Sequence, residues 1–399
     1  MIEGIHERGY DATTVAQVIC LAGVSRRAFY EQFCNKEECF LATYDIVVAG
    51  ARKRMLEAWG SERGWSNRVH AACNALLDDL AESPKGPRLV LVDALGIGPK
   101  ARERMQLAGF TFERLVSTAF AASPQGLQFP KLTSRAVVGG VRHVVFNRLH
   151  EGRERELFTL TDEVLDWVES YRTPAAARLS LVGVSQAPRV PPSPAAFLAR
   201  DDKRARLLGS VVHLTLDSGY AGLTDPQIAQ FAGMSTEAFH KQFVDKEECF
   251  LTVLDEFVAE ALDAVRPSLE EAETWPEGVY KAIVAFVDYL VAHQALLRIA
   301  FIDLFEVGPG MIGRLTRSVE DFTKLLTDNG PAAQRGPQVA LEAITGAVWG
   351  IIGTYVANDR LGRLPSLIDQ LAFTILAPYV GARGAVETIA ACRKPLRSV

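Results

Sequence analysis

The chain repeats itself at a distance of 210 residues, and this repeat constrains the fold more than any other feature of the sequence. A shift of 210 places Gly9-Tyr10 on Gly219-Tyr220 and the run 36–41 on the run 246–251. The matches continue far beyond these runs: Asp93 on Asp303, Gly98-Pro99 on Gly308-Pro309 and, after a three-residue slip, Gly139 on Gly346, Leu157 on Leu364 and Asp162 on Asp369. The repeat therefore predicts that one whole module has been duplicated, so that the chain contains two tandem modules.

Hydrophobic residues recur with helical periodicity in both copies, and no alternation typical of strands persists. The segment 173–199 contains five prolines and is typical of a stiff, extended linker. The sequence predicts an all-α fold with the following organisation: residues 1–45, a helix-turn-helix domain with a truncated first helix; 46–172, a helical ligand and dimerisation domain; 173–199, the proline-rich linker; 200–255, a second, degenerate helix-turn-helix; and 256–399, a second helical ligand and dimerisation domain.

The run from Gly9 to Leu41 contains two short helical patterns joined by a tight turn. Thr14 is placed to cap the first helix, with Gln17 three residues later as in a capping box. Gly23 suits the end of that helix, because glycine enters the left-handed conformation at little cost. Ser25 can cap the second helix. A helix, a turn with glycine and a second helix form the arrangement that lays the second helix in the major groove of DNA.

The run AGVSRRAFYEQFCNKEECFLATYD, residues 22–45, resembles the DNA-binding signature of the TetR/AcrR family of bacterial transcriptional repressors. The matching positions are Thr14, Ala22, Gly23, Val24, Ser25, Phe29, Tyr30, Phe33, Lys36, Glu37 and Leu41. This resemblance implies a three-helix DNA-binding domain followed by a larger helical domain that senses a ligand. It also implies a two-fold dimer whose two recognition helices enter successive major grooves.

The first module carries a basic and aromatic face at the start of its recognition helix. Beside Ser25, the guanidinium groups of Arg26 and Arg27 have the geometry for a guanine edge or a pair of phosphates. An ordinary solvated helix face is the alternative for both arginines. The resemblance gives Tyr30 a phosphate contact. Lys36 could hold a phosphate together with the N-terminus of its helix. Thr14 could also bind phosphate, although capping alone explains it.

In the second module the corresponding face is Ser235, Thr236, Glu237 and His240, while Lys246 persists. Residues 25–54 hold six basic and four acidic side chains, a net charge of +2. Residues 235–264 hold two basic and eight acidic ones, a net charge of −6. Since phosphate contacts supply much of the affinity for DNA, the second motif is predicted to read DNA weakly or not at all.

Small residues recur at Gly139-Gly140 and Gly346-Ala347, where they would let two helices approach closely. We favour an intrachain pseudo-dimer built from the two modules, with a homodimer as the alternative. The glycines could also simply relieve crowding inside each module.

Aromatic residues are the candidate lining of a ligand cavity in each larger domain, although aromatics at helical spacing usually belong to a plain hydrophobic core. The candidates are Phe110 and Phe146 in the first module, and Phe286, Tyr289, Phe301 and Trp349 in the second. Such a lining would suit a small lipophilic effector of unknown identity.

Composition and motifs exclude most other classes of protein. The net charge of −5 confines DNA contact to a local basic patch. No signal peptide and no uninterrupted apolar run of spanning length is evident, which predicts a cytoplasmic protein without membrane contact. The six scattered cysteines suit reduced thiols, with a redox switch at Cys34 and Cys39 as the alternative. Neither GxSxG nor HExxH occurs, so no enzyme activity, metal or cofactor is predicted.

The sequence therefore predicts a ligand-responsive transcriptional regulator, a repressor by its resemblance, which binds double-stranded operator DNA mainly through its first helix-turn-helix. The alternative is a TetR-like ligand-binding or protein-interaction module that does not bind an operator.

Overall fold

A computed structural model describes residues 1–124, 127–130, 132–174, 193–307, 310–328 and 338–396. The chain divides into two compact units, and most of the proline-rich linker, residues 175–192, lies outside the described residues. Unit 1 comprises Met1–Ala176 and Glu342–Ala347, and unit 2 comprises Ala177–Leu341 and Val348–Val399.

Unit 1 is helical, as the periodicity predicted. Its helices are α1 (Ile2–Ala12), α2 (Val15–Ala22), α3 (Arg26–Gln32), α4 (Lys36–Ser61), α5 (Trp65–Glu82), α6 (Lys85–Arg88), α7 (Pro99–Ala121), α8 (Thr133–His150) and α9 (Thr161–Glu169). A π-helical turn, Leu89–Asp93, follows α6, and a 3-10 turn, Glu154–Thr159, precedes α9. The fold is all-α as predicted, with one two-residue ribbon in which β1 (Leu127–Gln128) pairs antiparallel with β2 (Thr173–Pro174).

Unit 2 is helical as well. Its helices are α10 (Lys203–Ser218), α11 (Asp225–Phe231), α12 (Thr236–His240), α13 (Lys246–Glu270), α14 (Trp275–Ala292), α15 (Gln294–Phe301), α16 (Gly310–Asp328), α17 (Gln338–Ala357) and α18 (Ile368–Leu396). Residues 342–347 of α17 belong to unit 1. Short 3-10 turns lie at Ala196–Leu198, Asp303–Glu306 and Leu361–Leu367.

The core of unit 1 ties the helix-turn-helix to the helices that follow it. Ile5 of α1 packs with Phe40 and Tyr44 of α4, and Leu89 and Ala101 complete the cluster. All five side chains are at most 2% exposed. Helix α4 contributes to this core from its first turns onwards, so it connects the helix-turn-helix with the following helices of unit 1.

Equivalent contacts recur in the two modules at the spacings seen in the sequence. The Tyr10 ring meets the Phe40 ring edge-on at 5.4 Å between centroids, and Tyr220 meets Phe250 in the same way at 4.7 Å. Farther along, Gly152 has a φ of 70°, and the residue 207 positions later, Asp359, has a φ of 53°. These recurrences are what a duplicated module would show, and the duplication itself stays a prediction.

Among the described residues, one helix is long and apolar enough to cross a membrane by length and composition, although Glu342 interrupts its apolar run. It spans Val339–Ala357, and 61% of its most apolar window is buried inside the protein. A bent pair, Trp275–Ala292 with Gln294–Phe301, also passes when both helices are taken as one broken span. Buried core helices of proteins that do not cross a membrane can have this length and apolar composition.

Candidate nucleic-acid interface

The start of α2 and the turn between α2 and α3 are formed by the residues that the sequence analysis identified. The Thr14 hydroxyl accepts the Gln17 N–H at 3.3 Å, and the Gln17 side chain accepts the Thr14 N–H at 2.7 Å, which completes a capping box. Gly23 ends α2 with a φ of 64°, in the left-handed region. The Ser25 hydroxyl then accepts the Ala28 N–H at 3.1 Å and starts α3. These local contacts fix the direction in which α3 leaves the domain.

Helix α3 buries one face and exposes another. Phe29 is 4% exposed and packs with Val18 and Cys39, which anchors the helix. On the opposite face the Arg27 side chain is 89% exposed and pairs with Glu31 at 2.8 Å. Such an exposed pair contributes little to stability, so it can open at little cost to free the guanidinium.

Arg26 and Tyr30 lie together on the exposed face of α3. The guanidinium carbon of Arg26 is 5.7 Å from the centroid of the Tyr30 ring, and Tyr30 is 46% exposed. The Tyr30 ring also meets the buried Phe29 ring edge-on, at 5.3 Å between centroids. The three side chains of Arg26, Arg27 and Tyr30 thus form a cationic and aromatic face that a phosphate backbone or a base edge can approach.

Lys36 has its partners inside the domain. Its ammonium donates to the main-chain oxygen of Tyr10 at 2.8 Å and lies 4.0 Å from the centroid of the Tyr10 ring. The N-terminus of α4 is already capped, because the Asn35 side chain accepts the Glu38 N–H at 2.9 Å. The structure therefore gives Lys36 a role in holding the domain together, and a phosphate contact by Lys36 stays a prediction.

The second helix-turn-helix keeps the turn and changes the face. The Ser235 hydroxyl accepts the Ala238 N–H at 3.2 Å, and Phe239 is fully buried. The exposed positions of Arg26 and Arg27 are taken by Thr236 and Glu237, and the Glu237 carboxylate pairs with the Lys241 ammonium at 3.1 Å. The recognition helix thus presents no unpaired cation at its start.

His240 takes the place of Tyr30 and makes contacts within its own module, although its side chain is 45% exposed. Its Nδ1 lies 3.0 Å from the main-chain oxygen of Val244, and its Nε2 lies 3.7 Å from an Asp225 carboxylate oxygen. Lys246 repeats the behaviour of Lys36, because its ammonium donates to the Leu223 oxygen at 2.9 Å. The second motif therefore retains the packing of the first without its exposed cationic face.

The negative charge counted over residues 235–264 is partly balanced by residues outside that window. Asp255 pairs with Arg314, and Glu256 lies 3.7 Å from Arg200. The difference between the two modules consequently resides in the substituted positions on the recognition helix more than in the net charge of a window.

Ion pairs connect the first helix-turn-helix to the larger helical part of unit 1. Lys100 on α7 pairs with Glu37 at 3.0 Å, and Lys85 on α6 pairs with Glu3 at 2.6 Å. The residues 210 positions beyond the two lysines are Gly310 and Ala295, which cannot form such pairs. These two links are thus specific to the module that has the cationic face.

The candidate ligand-binding aromatics occupy different environments. In unit 1, Phe110 is 42% exposed on α7, and Phe146 stacks on the His150 ring at 5.7 Å. In unit 2, Phe301 stacks on Trp349 at 4.0 Å. Phe286 lies 6.0 Å from Phe322. A ligand pocket at these residues stays a prediction.

The Tyr289 hydroxyl donates to the Glu260 carboxylate at 3.3 Å, and its ring lies 4.3 Å from the His293 ring. Beside this pair, an open cavity of about 300 Å³ lies against Pro194, Leu198 and the turn between α14 and α15. None of the predicted aromatics lines this cavity. The sequence missed it because its walls come partly from the end of the linker, which carries no signal of a binding site.

The described residues contain no group of three or more His, Cys, Asp or Glu side chains that could hold a metal ion. Cys34 is exposed and Cys39 is buried. A hydrogen bond to the Glu38 carboxylate raises the pKa of Cys34, and burial raises the pKa of Cys39. Because the thiolate is the reactive form, both shifts disfavour a redox switch at this pair.

Comparison with known proteins agrees with this geometry. Residues 2–43 match the family model described as bacterial regulatory proteins, tetR family. The chain is 25% identical over 168 residues to the HTH-type transcriptional activator FasR of Mycolicibacterium smegmatis, an alignment that covers 41% of this chain and 76% of FasR. It is 30% identical over 124 residues to the HTH-type transcriptional regulator TcmR of Streptomyces glaucescens, covering 30% of this chain and 54% of TcmR.

Solved structures also resemble part of the chain. The fatty acid degradation regulator FadR from Bacillus halodurans is 16% identical with a TM-score of 0.39, and the match covers 45% of this chain and 95% of that one. FadR from Bacillus subtilis, solved in complex with stearoyl-CoA, is 16% identical with a TM-score of 0.38, over 43% of this chain and 96% of that one. On the evidence of the turn, the exposed helix α3 and the family match, residues 2–43 of this chain form an N-terminal helix-turn-helix domain similar to that of the tetR family of bacterial regulatory proteins.

Proposed function

We propose that this protein is a ligand-responsive transcriptional regulator that binds operator DNA mainly through its first helix-turn-helix. The observation that carries the proposal is the exposed face of α3, where Arg26, Arg27 and Tyr30 lie side by side on a helix anchored by Phe29. The two arginines supply charge for phosphates and donors for a base edge. Repression is the direction that the family resemblance implies, and a reporter under the chain's own promoter measures it.

The second module is proposed to act as a structural partner that contributes little to DNA affinity. Its recognition helix carries Thr236 and Glu237 where the first has arginines, and His240 is engaged by the Val244 oxygen. The two modules are proposed to pair within one chain. The recurrence of the Tyr10–Phe40 contact at Tyr220–Phe250 supports their common origin.

The proposed response to ligand is a shift between two populations of the chain. An effector bound in a helical ligand domain would favour an arrangement in which the recognition helix no longer fits its groove. Helix α4 would transmit the change, because Glu37 in its first turn is paired with Lys100 of α7 and Asp45 lies 3.4 Å from Arg104. A small lipophilic effector is the ligand class that the predicted aromatic lining would suit.

An electrophoretic mobility shift on DNA upstream of the chain's own gene tests the proposal. We expect a complex that weakens steeply between about 50 and 200 mM salt, as counterion release requires. The double variant R26A/R27A should lose at least about tenfold in affinity. The matched control, T236A/E237A, changes the equivalent positions of the second module and should leave affinity unchanged. No complex at any salt concentration would favour the alternative, a ligand-binding or interaction module without operator binding.

A further inference from the structure

Arg142 lies on the face of α8 that packs against other helices of unit 1. Residues 135, 142 and 149 are seven apart, which is close to two helical turns, so they share one face. At one end of this face the Arg135 guanidinium donates to Glu113 of α7 at 3.0 and 3.1 Å. At the other end the Leu149 oxygen accepts from Arg88 of α6 at 2.6 Å, and the Leu149 side chain is 2% exposed. Arg142 therefore points between α6 and α7, toward the interior of unit 1.

The Arg142 side chain is accessible to solvent and is nevertheless surrounded by protein. Its residue is exposed, whereas burial among protein atoms lowers the pKa of the guanidinium. The buried Tyr44 of α4 lies within range of this charge: burial raises the pKa of the Tyr44 hydroxyl, and Arg142 opposes the rise. A group with solvent access and such surroundings lies in a recess of the protein and not on its open surface. This recess is next to Tyr44.

Arg142 makes no hydrogen bond and no ion pair with any residue that the structure describes. Carboxylates on the flanking helices have cations of their own. On α4, Asp45 lies 3.4 Å from Arg104. On α7, Glu113 is held by Arg135. Because a cation without a partner is costly to keep among protein atoms, the fold leaves a positive charge that suits a group from outside the chain.

The walls around Tyr44 are apolar. Its core cluster is flanked by partly buried apolar side chains from three elements of unit 1: Val48 of α4, Leu91 of the π-helical turn, and Met105 and Ala108 of α7. Ligand sites in proteins are typically apolar, with a few placed polar groups that fix the orientation of the ligand. A single guanidinium beside such walls suits a molecule with an apolar body and one anionic group.

The corresponding position of the second module holds an aromatic pair instead of a cation. The shift of 207 residues that aligns Gly139 with Gly346 places Arg142 on Trp349, and the shift of 210 places Leu91 on Phe301. Within unit 2 the Trp349 and Phe301 rings stack at 4.0 Å between centroids, and Phe301 is 9% exposed. Two rings in contact occupy this position and carry no charge. At this position only the first module therefore offers a partner for an anion.

We propose that Arg142 is the charge partner of an amphipathic anion, a molecule with an apolar body and one carboxylate, sulfonate or phosphate group, which binds beside Tyr44 in unit 1. This inference rests on the proposed function, to whose effector it assigns a charge and a binding residue. It also predicts that a full chain binds one such anion, because the second module has no cation at the corresponding position.

Fluorescence titrations of the full chain without DNA test the assignment with two probes that differ in one charged group. 8-Anilinonaphthalene-1-sulfonate is the anion, and N-phenyl-1-naphthylamine has the same rings without the sulfonate. The wild type should bind one sulfonate per chain. R142M should bind it at least about tenfold more weakly, because a hydrogen bond to a charged group is lost. The same variant should bind the neutral amine as the wild type does.

Two further variants serve as matched controls. R142K keeps a cation and should lose less affinity for the sulfonate than R142M. R63M removes an exposed arginine of the loop before α5 and should behave as the wild type.

Competition identifies the anionic group. Decanoate, decyl phosphate or both should displace the bound sulfonate, according to whether the site accepts a carboxylate, a phosphate or either one. Decan-1-ol has the same chain length and no charge, and it should not displace the sulfonate. Equal displacement by decan-1-ol would contradict the role of the charge.

The unfolding midpoint separates binding from folding. R142M removes an unpaired charge, so its midpoint should equal or exceed that of the wild type. A clearly lower midpoint would show that the guanidinium serves the fold, and it would overturn the proposal. So would an R142M variant that binds the sulfonate as tightly as the wild type, one that loses both probes equally, or a wild type that binds none of the three anions. Because no DNA is present, failure of operator binding by the first module would leave these titrations unchanged.

Discussion

The ammonium of Lys36 lies 2.8 Å from the main-chain oxygen of Tyr10, and 210 residues later the ammonium of Lys246 lies 3.4 Å from that of Tyr220. Both modules keep this contact, although only the first has the exposed arginines. The shared role of the two lysines is thus to hold the start of the long helix against the first helix of its domain.

Replacing Lys36 with methionine should therefore destabilise the first helix-turn-helix. A hydrogen bond from a charged group to a buried carbonyl is worth about 1.5–3 kcal/mol, and the partial exposure of this one places the expected loss near the lower end. K246M should cost a similar amount in the second module. Hydrogen exchange of the amides of α1 and α10 measures the two losses separately. If K36M abolishes DNA binding without any loss of protection, the lysine serves DNA rather than the fold.

The two modules also differ in how their second helix is capped. The Thr14 hydroxyl accepts a main-chain N–H, whereas the Thr224 hydroxyl donates to the Gln227 side chain and makes no main-chain cap. T14A should cost about 1 kcal/mol of unfolding free energy, and T224A should cost clearly less. Urea denaturation of the two variants measures the difference. Equal losses would show that the capping box adds nothing.

Close packing at Gly140 predicts a large effect from one methyl group. An added Cβ would lie 2.4 Å from Trp167 Cη2. G140A should therefore lower the free energy of unfolding by about 1–3 kcal/mol. Gly109 in α7 has nothing within 4 Å of an added Cβ, and G109A should stabilise the protein by about 0.5–1 kcal/mol through helix propensity. Thermal unfolding of both variants is the measurement. A G140A variant as stable as the wild type would contradict the packing.

The stability of unit 1 should depend on pH through His143. Burial, followed by the charges of Arg142 and Arg148, lowers the pKa of this imidazole to about 4. An unfolded histidine has a pKa of about 6.5, so between these values the unfolded chain binds a proton that the folded chain does not. The contribution of His143 therefore leaves the free energy of unfolding at its highest above pH 6.5. As the pH falls from 6.5 toward 4, the free energy of unfolding decreases by on the order of 3 kcal/mol.

Urea midpoints measured from pH 7.5 to 4 check this dependence. H143Q should flatten the profile over this range, while H6Q, at an exposed position on α1, should leave it unchanged. A wild-type profile that is level between pH 6.5 and 4.5 would show that His143 does not control it.

Local turn chemistry is why the first helix-turn-helix could be predicted from the sequence. Thr14, Gly23 and Ser25 each act on residues within four positions of themselves, so their roles follow from spacing alone. Hydrophobic periodicity predicts helices over residues 65–82 and 310–328, and α5 and α16 have these bounds. Regular amphipathic helices between clear breaks are the elements for which sequence patterns suffice.

Irregular helices could not be predicted in the same way. The same periodicity predicts one helix over residues 87–95, whereas the structure has α6 followed by the π-helical turn Leu89–Asp93. The sequence predicts a truncated first helix over residues 1–8, and in the structure this helix continues to Ala12 across a break at Gly9. Hydrophobic periodicity does not distinguish i→i+4 from i→i+5 hydrogen bonding. It also does not show whether a helix continues beyond a glycine with non-helical dihedral angles.

The site could be predicted only where side chains point to solvent. Arg26, Arg27 and Tyr30 are exposed as the motif indicated, whereas the partners of Lys36 come from α1 and are invisible to spacing. The balancing of Glu256 by Arg200 likewise depends on tertiary contact. The net charge counted over residues 235–264 therefore overestimates the negative charge at the surface of the second module.

The last residues of the linker are built into unit 2. The Glu260 carboxylate accepts the N–H groups of Ala196 and Phe197 at 3.1 and 2.6 Å, and the Phe197 side chain is 1% exposed. The Ser193 N–H also donates to the Ala292 oxygen at 3.1 Å. A boundary drawn at residue 200 would thus remove a buried ring and leave Glu260 without its partners. A C-terminal half that keeps these contacts has to begin at or before residue 193. A fragment that begins after Phe197 should unfold at a lower temperature than one that begins at Ser193.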